Sequence, residues 1–271
     1  MAQRYGVNQS TISRSVRSAL GTLGLEARKI KGEWVLLGDT IFLDLERQVH
    51  QLWRWKEQQP LRLEAQHWSG PLFCLPAPAG WITGNFDFLD YQRPIELLRK
   101  GIIDAWVASY PDIPDDDDDA IASIHLNRMP MYLVVSEGHP LLELGDAITM
   151  ADLADYPSLA LPDGAFPKFQ AVAMACGIWN NEPKLTRFSR ENWYGRMDGD
   201  DLTVGYATPL TFGFLQKTKL ILPLRLPIEV GDALLVRRPF LEARQTKALQ
   251  ETLLERMEPL ADNNPELKLM A

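Results

Sequence analysis

The sequence predicts an α/β chain in three parts: a small basic head of one helix and a hairpin, a long apolar-striped helix, and a larger body. Three observations point there. After Pro60, short apolar runs alternate with helical patterns, as in a body whose helices pack on a sheet. Between Asp39 and Gln59 there is neither glycine nor proline to interrupt a helix. Charge divides unevenly: residues 1–38 hold six basic groups against Glu26 and Glu33, leaving the rest of the chain 22 of its 28 basic and 34 of its 36 acidic groups.

In the head, Ala2 to Tyr5 suits a short helical segment that stops at Gly6. Asn8 is a good N-cap for a helix running to about Leu23, because its short side chain can accept from a free backbone N–H of the first turn. Ile12, Val16, Ala19, Leu20 and Leu23 recur at helical spacing and form the apolar side, while Ser10, Thr11, Arg14, Arg17 and Ser18 project from the other. Ala27–Ile30 and Glu33–Leu36 can then pair around Lys31-Gly32 as a hairpin with a basic tip.

In the long helix over 39–59, Phe42, Leu45, Val49 and Leu52 follow the 3–4–3 spacing that begins a coiled-coil seam. Ile41, Trp53 and Trp55 widen the apolar surface, and Pro60 closes the helix. A helix this apolar between two domains is expected to dimerise.

In the body, the strand candidates are Leu61–Ala65, Phe86–Leu89, Ile102–Ala108, Met131–Val135, Ser158–Leu161, Leu202–Tyr206, Leu220–Pro223 and Ala233–Val236. The helix candidates are Arg93–Lys100, Met150–Ala154, Pro167–Cys176, Thr208–Gln216 and Leu241–Met257. The acidic run Asp115–Asp119 reads as a solvated loop, because successive aspartates point in different directions and stay hydrated.

Composition excludes several classes. The 271 residues are 46% hydrophobic and 24% charged, as in a globular protein, and the net charge of −8 argues against coating nucleic acid with most of the surface. No run approaches a membrane span and the first residues have no signal-peptide core, so a cytoplasmic location is expected, with no membrane partner. Cys74 and Cys176 are too few for a disulfide scaffold. No phosphate-binding glycine loop, nucleophile elbow or paired-histidine zinc motif occurs, and His50, His67, His125 and His139 stand apart. No enzyme activity, cofactor or metal site is expected.

The arginine-bearing helix remains. A helix that enters the major groove must show short polar side chains and arginines outward while its back packs on a neighbour. An ordinary amphipathic surface helix has the same pattern, so the helix alone leaves both readings open. The stretch Tyr5 to Arg17, however, resembles the helix-turn-helix of LysR-type transcriptional regulators: Gln9, Ser13, Arg14 and Val16 fill the places of its SQ-x-x-x-SR-x-I helix. Leu23-Gly24, Leu37-Gly38, Leu61-Arg-Leu63, Gly101-Ile-Ile-Asp-Ala105 and His139-Pro-Leu141 follow in family order. So do Asp152-Leu153, Tyr156-Pro157 and Val204-Gly-Tyr-Ala-Thr-Pro209. Departures are Ala19-Leu20 and Ala27-Arg28 where the family has LE and LF, Ile30 in place of a basic residue, and a first helix that would precede Ala2.

The resemblance implies an incomplete winged helix-turn-helix head over 1–38, a linker helix over 39–59 and an effector-binding domain over 61–258. That domain would be two-lobed and similar to periplasmic solute-binding proteins. Lobe one would comprise 61–127 and 223–258, lobe two 128–222, with crossings near Asn127–Met129 and Leu222–Leu224; 259–271 would be a tail. Gln9, Ser10, Thr11, Ser13, Arg14, Arg17, Lys29 and Lys31 would touch DNA, a pseudo-palindromic duplex bound by a homodimer or homotetramer joined along Phe42, Leu45, Val49 and Leu52. A small-molecule effector would sit between the lobes near Trp68, Ser69, Ser109, Ser189 and Thr208, whose hydroxyls suit a small carboxylate. The expected function is a regulator of transcription; the alternative is a small-molecule binding protein whose head no longer meets DNA.

Overall fold

A computed structural model of the protein describes residues 6, 8–30, 33–57, 59–180, 202–214 and 218–270. It divides into two compact units, Met1–Lys56 and Glu57–Ala271.

In the first unit, α1 (Gln9–Thr22) starts where the cap requires: the Thr11 N–H donates to Asn8 Oδ1 at 2.9 Å. It stops at Gly24, whose φ of +70° suits glycine, and there the Leu25 N–H turns back to the Leu20 carbonyl at 2.8 Å. No residue of α1 is buried, and Val16 on its apolar side is 47% exposed. Strands β1 (Glu26–Ile30) and β2 (Glu33–Leu37) form the hairpin, antiparallel, with Ala27 opposite Leu36 and Lys29 opposite Trp34. Helix α2 (Ile41–Lys56) is opened by Asp39, whose carboxylate accepts the Ile41 N–H at 3.0 Å. It ends before Pro60, consistent with the bias against helical backbone ahead of proline. Phe42, Leu45, Val49 and Leu52 are all more than half exposed along it. The segment Ala2–Tyr5 and Lys31 lie outside the described residues.

The second unit is a two-lobed α/β body. In lobe one, β3 (Leu61–Ala65) lies parallel to β4 (Trp81–Thr83) on one edge and to β5 (Ala105–Tyr110) on the other. Two antiparallel partners follow: residues 231–237 of β9 (Lys219–Arg237) pair with β5 and, across their other edge, with β6 (Ile121–His125). Trp106 of β5, Leu235 of β9, Ile121 of β6 and Leu98 of α4 (Gln92–Arg99) meet in this lobe's core. Residues Ala105–Ala108 and Ala233–Val236 are fully buried, as expected of central strands covered on both faces.

In lobe two, residues 219–230 of the same β9 pair with β7 (Asn127–Ser136), whose other edge takes β8 (Gly205–Ala207) and β10 (Lys268–Leu269). Helices α5 (Met150–Leu153) and α6 (Pro167–Ala175) complete this lobe, and α3 (Gly70–Phe73) and α7 (Arg244–Asp262) complete the body. The lobes are thus joined by two long strands side by side, β6 running on into β7 and β9 returning. Close approach at the crossing requires Gly231: a Cβ there would stand 2.1 Å from the Asn127 carbonyl oxygen.

Several elements differ from the sequence reading. The runs at 220–223 and 233–236 belong to one strand, since Pro223 and Pro227 sit at exposed positions of β9; it leaves β7 for β5 at Val230–Gly231, later than the crossing expected at Leu222–Leu224. Phe86–Leu89 is not a strand. The Phe86 N–H donates to buried Glu64 Oε1 at 2.7 Å, so a side chain takes the place of a neighbouring strand, which lies earlier at β4. Ser158–Leu161 forms no strand, only bridges such as Ser158 to Val204; Ser158 also accepts the Trp179 N–H at Oγ and donates its own N–H to Asn180 Oδ1. Over 208–214 there is only a turn and a 3-10 segment at Phe212–Phe214, because Thr208 and Thr211 cap each other. Strands β6 and β10 were not foreseen, and α7 extends past Met257 so that 259–270 joins the body.

Candidate functional site

Parallel strands β3 and β5 end side by side, so the loops that follow them open on the same edge of lobe one, where open α/β sheets gather ligands. Those loops bring His67, Trp68 and Ser69 next to Ser109, Tyr110 and Asp112. Lobe two faces them with Leu159, Leu161, Phe166, Phe169, Trp179, Tyr206, Thr208 and Thr211, while Met129, Val230 and Asp232 form the floor at the crossing strands. Together they enclose a cavity of about 160 Å³ with largely apolar walls. Trp68 from lobe one and Phe166 from lobe two face each other with ring centroids 5.6 Å apart; Phe169 meets Trp179 at 5.6 Å and Tyr206 at 5.5 Å.

A latch also holds the lobes together. Helix α6 begins with Pro167 and its N-cap, Phe166, supplies no side-chain cap, so its first N–H groups need an acceptor from elsewhere. Asp112 of lobe one provides it, accepting the Lys168 N–H at 2.7 Å and the Phe169 N–H at 3.0 Å. The Lys168 ammonium returns to lobe one, donating to the Ile113 carbonyl at 3.1 Å and to Asp115 at 2.8 Å. The Tyr91 N–H adds a bond to the Ala165 carbonyl at 3.2 Å. Burial holds the Asp112 carboxyl above its ordinary range, against the downward pull of the two N–H bonds.

At the floor, Asn127 and Asp232 tie the crossing strands reciprocally. Asn127 Nδ2 donates to the Asp232 carboxylate at 2.9 Å, and the Asp232 N–H donates to Asn127 Oδ1 at 3.1 Å. Burial pushes the Asp232 carboxyl up to about 6, opposed by Asn127, by the neighbouring Ser69 hydroxyl and by the field of Arg128. Burial pushes His67 down to about 3, so at neutral pH its ring carries no charge.

Of the effector contacts foreseen, Trp68, Ser69, Ser109 and Thr208 come together on this cavity, and Trp68 Nε1 donates to Ser109 Oγ at 2.8 Å. Ser189 lies outside the described residues. Sequence reasoning missed His67, Asp112, Trp179 and Asp232, which no local motif marks. Gln9, Ser10, Thr11, Ser13, Arg14 and Arg17 are all exposed along α1, and Lys29 is exposed on β1. The Ser10 and Thr11 hydroxyls donate to Asn8 Oδ1 at 2.7 and 3.1 Å, leaving their lone pairs outward. The acidic run is anchored by Arg99 on Asp118 at 2.7 Å and Lys168 on Asp115. Among the described residues no group of three or more His, Cys, Asp or Glu side chains could hold a metal ion, and no helix is long and apolar enough to cross a membrane.

Residues 85–179 match the family described as the LysR substrate binding domain. No curated protein matches the chain. Among solved structures, a full-length OxyR variant from Pseudomonas aeruginosa is 19% identical, with 93% of this chain and 92% of that one covered at a TM-score of 0.56. A hydrogen-peroxide-bound OxyR mutant from Corynebacterium glutamicum is 13% identical, with coverages of 96% and 88% and a TM-score of 0.55. The effector binding domain of a BenM variant is 16% identical, with coverages of 79% and 99% and a TM-score of 0.56. Residues 85–179 thus resemble the LysR substrate binding domain, and the chain has the fold of the OxyR and BenM structures.

Proposed function

We propose that the protein is a cytoplasmic transcription regulator that binds pseudo-palindromic DNA as a homodimer or homotetramer and answers a small molecule held between the lobes of its body. The observation that carries this reading is α1: a capped helix with Gln9, Ser10, Thr11, Ser13, Arg14 and Arg17 all in solvent, the residue types that fork to guanine or reach phosphates. Lys29 on the wing, with Lys31, would add phosphate contacts. The exposed stripe Phe42, Leu45, Val49 and Leu52 supports a twofold partner, since side chains of this size are normally covered.

In this reading the head and linker helix keep the bounds read from the sequence, whereas in the body lobe two takes β9 through Val230, lobe one resumes at Gly231, and 259–270 belongs with the body. A ligand in the cleft acts on DNA binding only through its different affinity for open and closed lobes, and the Asp112–Lys168 latch is the contact such a difference would make or break. The protein has no enzymatic role in this reading. Peroxide sensing by a thiol is not supported: Cys74 is buried and burial raises both its thiol and that of Cys176, the reverse of a reactive thiolate.

The alternative, a ligand-binding protein whose head no longer meets DNA, draws on the absence of any buried residue in α1. Fluorescence anisotropy of labelled promoter DNA separates the two. Arg14→Ala is expected to weaken binding about tenfold or more, the worth of one good bidentate contact; unchanged affinity at moderate salt would contradict the assignment.

A further inference from the structure

The cavity's charge inventory is unusual for a site expected to take a carboxylate. Among the described residues that line it, none is lysine or arginine, and two, Asp112 and Asp232, are acids. His67, the one histidine among them, stays neutral. The N–H groups at the start of α6, which would otherwise receive an anion, are already taken by Asp112. Asp112 is thereby satisfied, whereas Asp232 is fully buried on the cavity floor with only neutral hydrogen-bond partners. Arg128 acts on Asp232 from beyond ion-pair distance; its guanidinium lies 3.5 Å over the Tyr110 ring and donates to the Asn127 carbonyl at 2.8 Å. The same cavity is lined by the aromatic side chains of Trp68, Phe166, Phe169, Trp179 and Tyr206.

We propose that the cleft takes a small organic cation, an ammonium on an aromatic or apolar body, with its charge at Asp232 and its body among the aromatic side chains. A buried carboxylate without a cation is costly, and an ammonium arriving with the ligand supplies the missing charge. Aromatic faces attract the same cation and repel an anion. A body of one ring fits the about 160 Å³ available. The proposal rests on the cleft being the effector site, and it is independent of whether the head binds DNA.

Benzylamine, benzyl alcohol and benzoate share one ring and differ in charge, so their titration into the full chain at neutral pH by calorimetry tests it. The expected result is benzylamine binding about tenfold or more tighter than either of the others, a difference of one charged contact. In Asp232→Asn the benzylamine affinity should fall about tenfold while benzyl alcohol stays within about threefold. Should that variant fail to fold, benzylamine binding by the unsubstituted protein should weaken below about pH 6 as Asp232 gains its proton, with His67 and the Cys74 thiol neutral and Arg128 charged. Asp112, the other acid of the wall and also raised by burial, is separated by the same series in Asp112→Asn, which should keep the pH dependence. Benzoate as the tightest ligand, equal affinities for amine and alcohol, an affinity indifferent to Asp232, or no binding of any of the three at millimolar concentration would each overturn the proposal. Loss of DNA binding alone would overturn only the regulator reading.

Discussion

The carboxylate of Asp112, in lobe one, accepts the backbone N–H of Lys168, in lobe two, at 2.7 Å. A helix start is thus capped across the cleft rather than by its own neighbours, so one acid of lobe one satisfies the first N–H groups of a lobe-two helix.

Asp112→Ala should leave the part-buried Lys168 N–H and the buried Phe169 N–H without an acceptor and destabilise the body by about 1–3 kcal/mol in urea unfolding. Asp115→Ala removes only the exposed partner of Lys168 and should cost less than about 1 kcal/mol. Equal effects would show that the latch is not held by Asp112.

Asp232 gives a pH signature. Its folded-state carboxyl is raised to about 6 from an ordinary 3.8, so the folded protein holds the proton more tightly than the unfolded chain does. That contribution is present at low pH and is lost as pH rises from about 4 through about 6. Asp232→Asn keeps an acceptor for Asn127 and removes the titration, so its Tm relative to the unsubstituted protein should be more favourable at pH 7.5 than at pH 4.5. His67, lowered to about 3, loses stability in the opposite direction as pH falls, and it cancels because both proteins carry it.

Gly231→Ala places a Cβ against the Asn127 carbonyl oxygen where the crossing strands meet. Backbone cannot yield there, so the variant should lose about 3 kcal/mol or more, or not fold. Gly213→Ala meets nothing within 4 Å and should stay within about 0.5 kcal/mol by the same thermal melt.

The stripe on α2 should mediate self-association. Val49→Glu is expected to shift the mass measured by light scattering toward the 30.7 kDa of one chain, while the melting profile of the body is retained.

What was legible in the sequence is what short-range chemistry decides. Asn8 announces α1, Gly24 ends it, and Leu61–Ala65 forms as read because its alternation and its flanking proline are local. Trp68, Ser69, Ser109 and Thr208 were within reach because each lies at or just past the end of a strand, and strand ends gather at one edge of a sheet. The rest is set by partners distant in the chain. Asp112 and Lys168 are 56 positions apart, and Asn127 and Asp232 are 105. Phe86–Leu89 has strand composition, yet Glu64 claims its first N–H. The hydroxyls alone suggest a carboxylate, whereas Asp112 and Asp232 come beside them only through the fold.

The central claim is that α1 docks in a DNA groove, and the salt dependence of promoter binding by the full chain tests it most directly. Affinity should fall linearly on a log–log plot against salt, with a slope of about −0.9 for each phosphate neutralised, and Arg17→Ala should make that slope shallower by about one such step. A flat response, or a slope that Arg14 and Arg17 replacements leave untouched, would contradict it.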